Sequence, residues 1–150
     1  MKRMLYPLVL LALLSSAAAS AASDPLFYCT TNEGKKLQVL EDGEYMIYQY
    51  GSDLRKPELE LRRHRSKVAV KNTLQPGPIL TRSFAFANGS YRYAVEIHAI
   101  RIPFEHDHEE GGVEVYAGTV ELGGPRCVED LRQRLLVIER LPVIEFPMIN

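Results

Sequence analysis

Residues 81–100 read TRSFAFANGSYRYAVEIHAI, and this stretch indicates the fold class. Aromatic residues alternate with small or polar ones on both sides of Asn88-Gly89, a dipeptide typical of a type I′ turn between two strands. A turn centred on these two residues would place four aromatic side chains on one face of a hairpin, pairing Phe86 with Tyr91 and Phe84 with Tyr93. We expect these four to form the middle of the core, with the opposite face exposed to solvent.

The rest of the chain continues this pattern. Short runs of alternating apolar and polar residues recur about every ten residues, with turn-forming residues between them. Two further hairpins are expected, one about Ala117-Gly118 and one about Asp42-Gly43, the latter with Val39 opposite Met46 and Leu37 opposite Tyr48. This spacing predicts an all-β, mainly antiparallel domain, a small sandwich or barrel of about 8 strands.

The C-terminal part of the chain has a different period. Apolar residues recur there at helical spacing, at Val128, Leu131, Leu135 and Ile138, with acidic residues early and arginines later, as the helix dipole prefers. This pattern predicts one short C-terminal helix from about 128 to 139, which Pro142 would end. The apolar tail from 141 to 150 is expected either to pack on the domain or to contact a partner.

The N-terminal residues are typical of a cleavable signal peptide. A short basic start precedes an apolar run from Leu5 to Leu14, long enough for a signal-peptide core and too short to span a bilayer. Ala19-Ser20-Ala21 fits the small-residue cleavage rule. We therefore expect a signal peptide at 1–22 and a single exported β domain at 23–150, located in the periplasm. No membrane insertion of the mature chain is expected, since no second apolar run is long enough.

The two cysteines of the chain are Cys29 and Cys127. In an oxidising compartment an isolated pair is most simply joined in one disulfide, which would tie the first strand to the last. The formal net charge of −1 at pH 7 selects no particular class of partner.

Several motifs are spread along the mature chain: residues 28–36 (YCTTNEGKK), Asp42-Gly43, residues 48–51 (YQYG), Pro57-Glu58-Leu59, Asn88-Gly89 with Tyr93, residues 111–115 (GGVEV) and the late Cys127. Together they resemble small exported β proteins of Gram-negative bacteria that have no assigned activity. More loosely, an exported domain with one early and one late cysteine resembles the periplasmic inhibitors of C-type lysozyme, small β-barrels that bind an enzyme cleft by a loop. Those inhibitors use a Ser-Gly-x-x-Tyr motif that this chain lacks, so no functional residue is carried over.

The segment from Glu105 to Gly112 is polar, and we expect it to be a flexible loop. It contains two imidazoles and several carboxylates, which are good ligands for Zn²⁺, Ni²⁺ or Cu²⁺. Three interpretations remain open: a solvated acidic loop, and either weak metal binding or a catalytic metal at a site that uses His106, His108 and Glu109.

An arginine-rich segment lies between two predicted strands, with Arg62, Arg63 and Arg65 close together. Arginine forks suit carboxylates, so this segment could bind an acidic partner, helped by Ser90 and Arg92 near the tip of the aromatic hairpin. It could equally be an exposed turn, or pair with the acidic loop within the fold. We expect no nucleic-acid ligand, because the chain is predicted to be exported and the cluster lacks interleaved aromatic residues.

The residues offer little for catalysis. Both cysteines are expected in a disulfide, no Gly-x-Ser-x-Gly segment occurs, and His98 lies on a predicted strand. We therefore expect no enzyme and no cofactor. The leading hypothesis is a non-catalytic periplasmic binding module, an inhibitor or immunity-type protein that docks on an envelope-directed enzyme. The alternatives are a periplasmic metal-binding protein using the His106–Glu110 segment and a barrel that binds a small ligand inside.

Overall fold

The computed structural model of the chain describes residues 24–74, 79–100 and 108–134. The predicted signal peptide at 1–22 and the apolar tail from 141 to 150 lie outside these residues. Those two predictions therefore stay predictions. The described residues include no helix that is long and apolar enough to cross a membrane.

Within the described residues the chain forms ten strands in two antiparallel sheets of five. Sheet A has the order β10-β1-β2-β3-β4 and sheet B the order β5-β6-β7-β8-β9. The strands are β1 (Phe27–Thr31), β2 (Lys36–Asp42), β3 (Tyr45–Gly51), β4 (Leu59–His64), β5 (Ala69–Leu74), β6 (Ile79–Asn88), β7 (Tyr91–Ile100), β8 (His108–Ala117), β9 (Val120–Gly123) and β10 (Cys127–Gln133). The all-β, antiparallel prediction is confirmed as a sandwich, but with ten strands rather than about 8.

The inner faces of the two sheets are filled by side chains. Sheet A contributes Phe27, Leu37, Val39, Met46, Tyr48 and Leu61, and sheet B contributes Val70, Phe84, Phe86, Val95, Ile97 and Val113, all buried in one cluster. One turn of 3-10 helix, Arg65–Lys67, carries the chain from β4 in sheet A to β5 in sheet B. Burial of this apolar surface is the main favourable term in the stability of such a domain.

The structure corrects the predicted position of all three hairpin turns in the same way. In each, the glycine is the first central residue of the two-residue loop rather than the second, since Asp42 pairs with Tyr45, Asn88 with Tyr91 and Ala117 with Val120. Gly43, Gly89 and Gly118 have φ of +58°, +61° and +61°, and the residue after each has negative φ, as in a type II′ turn. Each strand partner is displaced by two positions relative to the prediction. The inward face is unchanged because side chains alternate with a period of two.

The aromatic hairpin forms most of the core expected of it. Phe84 and Phe86 are fully buried, and Tyr93, which pairs with Phe86, packs partly buried against them. Tyr91 does not belong to the middle of the core, because it lies beside the turn and is 45% exposed. The opposite face is also less exposed than predicted, since Ala85 and Ala94 are buried there.

The prediction of a C-terminal helix is wrong where the structure describes it. Cys127–Gln133 forms β10, an antiparallel neighbour of β1, with two register shifts along the pair. Extra residues at such bulges break the period of two, and Asp130 takes a left-handed φ of 56°. Val128 is therefore exposed while Leu131 packs against the core, a spacing of three that imitates a helix. Residues 135–139 of the predicted helix lie outside the described residues.

The prediction of a flexible polar loop before Val113 is also wrong in its second half. Residues 108–112 are the first half of β8 and pair with β7 in register, with Gly111 opposite Ile97. A Cβ added to Gly111 would lie 3.0 Å from the Phe27 ring, so the glycine allows sheet B to pack closely against β1. A polar and glycine-rich composition here reflects close packing rather than a loop.

The disulfide prediction is confirmed: Cys29 on β1 is joined to Cys127 on β10, with a Cα–Cα distance of 5.6 Å and 98 residues between them. Cys29 is fully buried in the core cluster. The first strand is thus tied to the last, and the covalent link lies within a single strand pair.

Removal of the disulfide should destabilise the domain strongly, because the bond closes a loop of nearly the whole domain. We expect the double substitution Cys29→Ala and Cys127→Ala to lower the free energy of unfolding by about 2–5 kcal/mol, measured by urea denaturation. The reduced wild-type protein is the matched control and should lose a similar amount. Equal stability of the oxidised and reduced wild-type protein would contradict the prediction.

Candidate functional site: a carboxylate-lined cleft on the outer face of sheet B

A cleft of about 470 Å³ lies on the outer face of sheet B, away from the core. Its floor is formed by β7 and β8, and its wall by the turn after β1 and the start of β10. The titratable side chains that line it are Glu96, His98, Glu110, Glu114 and Arg126.

The wall is held close to the floor by backbone contacts at Gly112. The N–H of Val113 donates to the carbonyl of Pro125 at 2.9 Å, and a Cβ on Gly112 would lie only 2.8 Å from that same oxygen. Asn32 and Arg126 exchange two hydrogen bonds, from Asn32 N–H to the Arg126 carbonyl at 2.8 Å and from Arg126 N–H to Asn32 Oδ1 at 2.9 Å. Only a glycine fits at position 112, because any side chain would displace the wall.

Three carboxylates surround Gly112 on the outer face. Glu96 lies on β7 directly opposite Gly112, while Glu110 and Glu114 lie two positions before and after it on β8. Residues two apart in a strand point to the same side and are separated by about 6.6 Å along the strand. The strand register therefore gathers three acidic groups around a position that has no side chain.

The acidic side chains of the cleft have few protein partners. Glu96 Oε2 lies 3.6 Å from His98 Nε2, and within the described residues neither Glu110 nor Glu114 forms an ion pair or a side-chain hydrogen bond. Glu114 Oε2 has almost no accessible surface and no hydrogen-bond partner in this part of the chain. A buried polar atom without a partner loses its hydration and gains no hydrogen bond in return, so this oxygen is destabilising where it lies.

Burial raises the pKa of Glu96 above its ordinary value. Desolvation is the largest cause, the positive charge of protonated His98 opposes it, and the carboxylates of Glu114 and Glu121 add to it. Lys71 also opposes the increase from the outer face of β5. The ionised form of Glu96 is thus disfavoured by its surroundings, as expected for a carboxylate grouped with others of like charge.

The ring of His98 is oriented by a hydroxyl group from the neighbouring strand. Thr81 Oγ1 and His98 Nδ1 are 2.8 Å apart, and the other ring nitrogen faces Glu96. The order hydroxyl, imidazole, carboxylate is one that nucleophilic catalysis also uses. Thr81, however, is only 8% exposed, so its hydroxyl holds the imidazole in place and is not accessible to a substrate.

The structure separates two of the predicted metal ligands. His108 and Glu109 are adjacent on β8, so their side chains leave opposite faces of the sheet. Glu109 instead accepts a hydrogen bond from Gln133 Nε2 at 3.0 Å. His106 lies outside the described residues. Among the residues that are described, no three His, Cys, Asp or Glu side chains are grouped to hold a metal ion.

The arginine-rich segment forms contacts within the fold. Arg62 pairs with Asp42 at 2.7 Å, Arg65 pairs with Glu41, and the Nε of Arg63 donates to the carbonyl of Ala87 at 2.9 Å. These contacts tie the tip of the β2–β3 hairpin and the end of β6 to β4 and to the 3-10 turn that follows it. Within the part of the chain that the structure describes, the acidic partners of this segment, Glu41 and Asp42, lie on β2.

The two predicted partner-binding residues of the aromatic hairpin lie beside its tip. Ser90 is an exposed turn residue whose carbonyl accepts a hydrogen bond from the Gly118 N–H at 3.2 Å. The guanidinium of Arg92 lies over the Tyr116 ring, 4.5 Å from its centre. Neither residue lines the carboxylate cleft, although Arg92 shares its sheet face.

A larger but more open groove, of about 630 Å³, lies on the outer face of sheet A, along Tyr28, Gln38 and the loop after β3. Its polar groups are largely satisfied by one another. Gln38 Nε2 donates to Gln49 Oε1 at 2.5 Å, and Arg55 holds Asp53 through both its Nε and Nη2. We prefer the smaller cleft as the functional site because its acidic groups lack such partners.

Sequence reasoning missed the carboxylates of this cleft because it placed 108–112 in a loop. A strand through Gly111-Gly112 would have put Glu110 and Glu114 on one face, two positions either side of Gly112. Glu96 joins this group only because the strand pairs with β7, and no short stretch of the sequence predicts that pairing.

The raised pKa of Glu96 predicts that stability decreases as pH rises. A carboxyl whose pKa is higher in the folded state than in the unfolded state contributes stability below its unfolded pKa, and this is lost as pH rises through the folded pKa. We expect Glu96→Gln to remove part of this dependence, so the variant gains stability relative to wild type as pH rises above the ordinary glutamate pKa of about 4.3.

Urea denaturation of the two proteins at several pH values measures this difference. The control is Glu109→Gln, which removes a carboxylate from the other face of the same sheet. This variant should not gain stability relative to wild type as pH rises. A constant difference between Glu96→Gln and wild type at every pH would contradict the assignment.

No protein-family model, no curated protein and no solved structure matches the chain. No functional residue is therefore transferred from a relative, and the function is inferred from the cleft and the sandwich that carries it.

Proposed function

We propose that the protein is a non-catalytic binding module of the periplasm, exported by a signal peptide at 1–22, which docks on an envelope-directed enzyme as an inhibitor or immunity-type protein. The observation that carries this proposal is that the cleft lies on the outside of the sandwich rather than in its core. The described interior is filled by side chains, whereas the cleft with unsatisfied acidic groups lies outside, on sheet B. Such an external, rigidly framed concavity suits the surface of another macromolecule.

The rigidity of the cleft supports recognition of a protein. Its floor is a central strand pair of sheet B, and its wall is connected through Cys127 to the buried Cys29 of β1. A surface held in one conformation loses little entropy on binding, which favours affinity for a partner of matching shape. Recognition surfaces on strands are also more exactly positioned than those on loops.

A non-catalytic role agrees with the state of the nucleophilic side chains. Cys29 and Cys127 are joined to each other, and the Thr81 hydroxyl that contacts His98 is buried. These groups are unavailable to attack a substrate.

The two alternative functions receive less support. A small ligand inside the sandwich would compete with Phe27, Phe84 and Phe86, which already fill the described interior. A metal site that uses His106 and His108 would need ligands other than Glu109, which leaves the opposite face of β8 from His108. Calorimetric titration with Zn²⁺ or Cu²⁺ tests this second alternative, and micromolar binding would favour it.

The inhibitor proposal predicts a stoichiometric loss of enzyme activity. The purified, disulfide-bonded protein is immobilised, and an envelope extract of a Gram-negative bacterium is passed over it. We expect a hydrolase to be retained, and we expect its activity to decrease saturably when the free protein is added at increasing concentration.

The fully reduced and alkylated protein serves as the control, because loss of the disulfide should disturb the cleft wall. Retention of no hydrolase, or a retained hydrolase whose activity is unchanged at saturation, would contradict the proposed function.

A further inference from the structure

Sheet B ends in a strand, β9, whose outer edge is unpaired. In the described part of the chain β8 is the one strand that pairs with it, and no other backbone hydrogen bond reaches β9. Ala117 and Val120 close the two-residue loop, and Tyr116 pairs with Glu121 beside them, before the register shift of this strand pair. Since alternate residues of an antiparallel strand turn their N–H and C=O away from the partner, those of Glu121 point to the free edge.

Apolar side chains are exposed along this edge. Val120 and Leu122 of β9 are 59% and 56% exposed, and Tyr91 of β7 is 45% exposed. The strand register places Tyr91, Ala117 and Val120 side by side on β7, β8 and β9. Directly opposed residues share a face, so these three form one row on the core-facing side of sheet B. A group of exposed apolar side chains of this kind is typical of an interaction surface.

The row that contains Tyr91 lies just outside the aromatic part of the core. The ring of Tyr48 on sheet A packs against Phe86 and Tyr93, which form the next row inward, at centroid distances of 5.7 Å and 5.8 Å. The exposed row is held in place because the Gly118 N–H donates to the Ser90 carbonyl at 3.2 Å, which joins the tips of two hairpins. A surface already fixed in one conformation loses little entropy when a partner binds.

The other three edge strands of the sandwich are less suited to the addition of a strand. Their exposed charged residues are Glu60 and Arg62 on β4, Lys71 on β5, and Glu129, Asp130 and Arg132 on β10. Charged side chains on an edge strand oppose pairing with a further strand. On β9, by contrast, Glu121 is the one charged residue and lies between two exposed aliphatic residues. The strand has four residues, so its edge accommodates a short segment.

The outer side of the β9 edge is acidic. Glu121 lies opposite Tyr116 on the outer face, and within the described residues its carboxylate forms no ion pair. Burial raises the pKa of Tyr116, the negative charges of Glu96, Glu121 and Glu114 raise it further, and Arg92 opposes this increase. Three carboxylates thus act on this part of the face against one guanidinium. A strand added here is therefore favoured when it carries a basic side chain on this face.

From these observations we infer that the free edge of β9 binds an extended segment of a protein partner, which adds to sheet B as a sixth strand. The segment runs antiparallel to β9, with apolar side chains on the face of Tyr91 and Val120 and a basic side chain opposite Glu121. The inference rests on the proposed function, since the partner is the enzyme proposed above, and it adds a second contact to that of the cleft.

Short peptides test this strand addition without the natural partner. Acetyl-Thr-Val-Lys-Val-Thr-amide is titrated into the purified, disulfide-bonded, isotopically labelled protein, and the backbone amide signals are followed by NMR. We expect saturable shifts centred on Glu121. The peptide lysine uses its own N–H to pair with Glu121, so N-methylation at that lysine should decrease the affinity about tenfold or more. N-methylation at either valine, whose N–H points away from β9, is the matched control and should leave the affinity unchanged.

A charge reversal locates the binding and its register. Glu121→Lys should decrease the affinity for the lysine peptide about fivefold, the effect of one cross-strand charge pair. The same variant should bind the peptide with glutamate in place of lysine more tightly than wild type does. Glu109→Gln, which removes a charge from β8 away from the β9 edge, should bind every peptide as wild type does.

Three results would overturn the inference. The first is equal affinity for the peptides methylated at lysine and at valine, and the second is an unchanged peptide preference in folded Glu121→Lys. The third is protection of the Glu121 amide from hydrogen exchange in the free protein, because the edge would then already be covered by residues 141–150 of the same chain or by a second copy.

The outcomes also separate this inference from the proposed function. If the peptides fail as described but a hydrolase is still retained and inhibited, the proposed function stands without strand addition. If the lysine peptide binds as expected but no hydrolase is retained, the proposed function fails and the strand-binding edge remains.

Discussion

The pairing of β1 with β10 is the constraint on which the rest of the structure depends. It joins the two ends of the described domain, is locked by the Cys29–Cys127 disulfide, and packs Phe27 and Leu131 against Gly111 of β8. The same pairing sends the chain from Pro125 to Val128 across the outer side of Gly112, where it becomes the wall of the carboxylate cleft. One strand pair thus closes the core and also shapes the candidate site.

The two sheets differ in how their polar and charged side chains are paired. On sheet A, polar groups bond to each other in rows, as in the contact of Gln49 with Glu60, and the arginines pair with the acidic residues of β2. On sheet B, the acidic groups around Gly112 are left without strong partners, and Glu96 has a raised pKa because burial and like charges disfavour its ionised form. The outer faces of the two sheets therefore differ, because acidic groups are paired on sheet A and are grouped with one another on sheet B.

Much of the fold could be predicted from local patterns, and the errors have physical causes. The inward faces of the hairpins were correct because the period of two is insensitive to a register change of two residues. The turns themselves were misplaced by one residue, since a glycine satisfies either a type I′ or a type II′ loop and the flanking residues do not decide between them. The helix from 128 was wrong because bulges in β10 gave Val128 and Leu131 a helical spacing, and the polar loop was wrong because Gly111 and Gly112 reflect close packing with Phe27 and Pro125.

The sequence by itself determined the all-β class, the pairing of the cysteines and the apolar faces that build the core, because turn residues, alternation and an isolated cysteine pair are local or unique signals. Only the tertiary structure decided where charge collects. Glu96 and Glu114 are 18 positions apart in sequence and come together through the register of β7 with β8, while the wall at Arg126 arrives from the far end of the domain. The register of the strands and the path of the chain across sheet B depend on packing throughout the core. No short stretch of sequence is therefore enough to predict them.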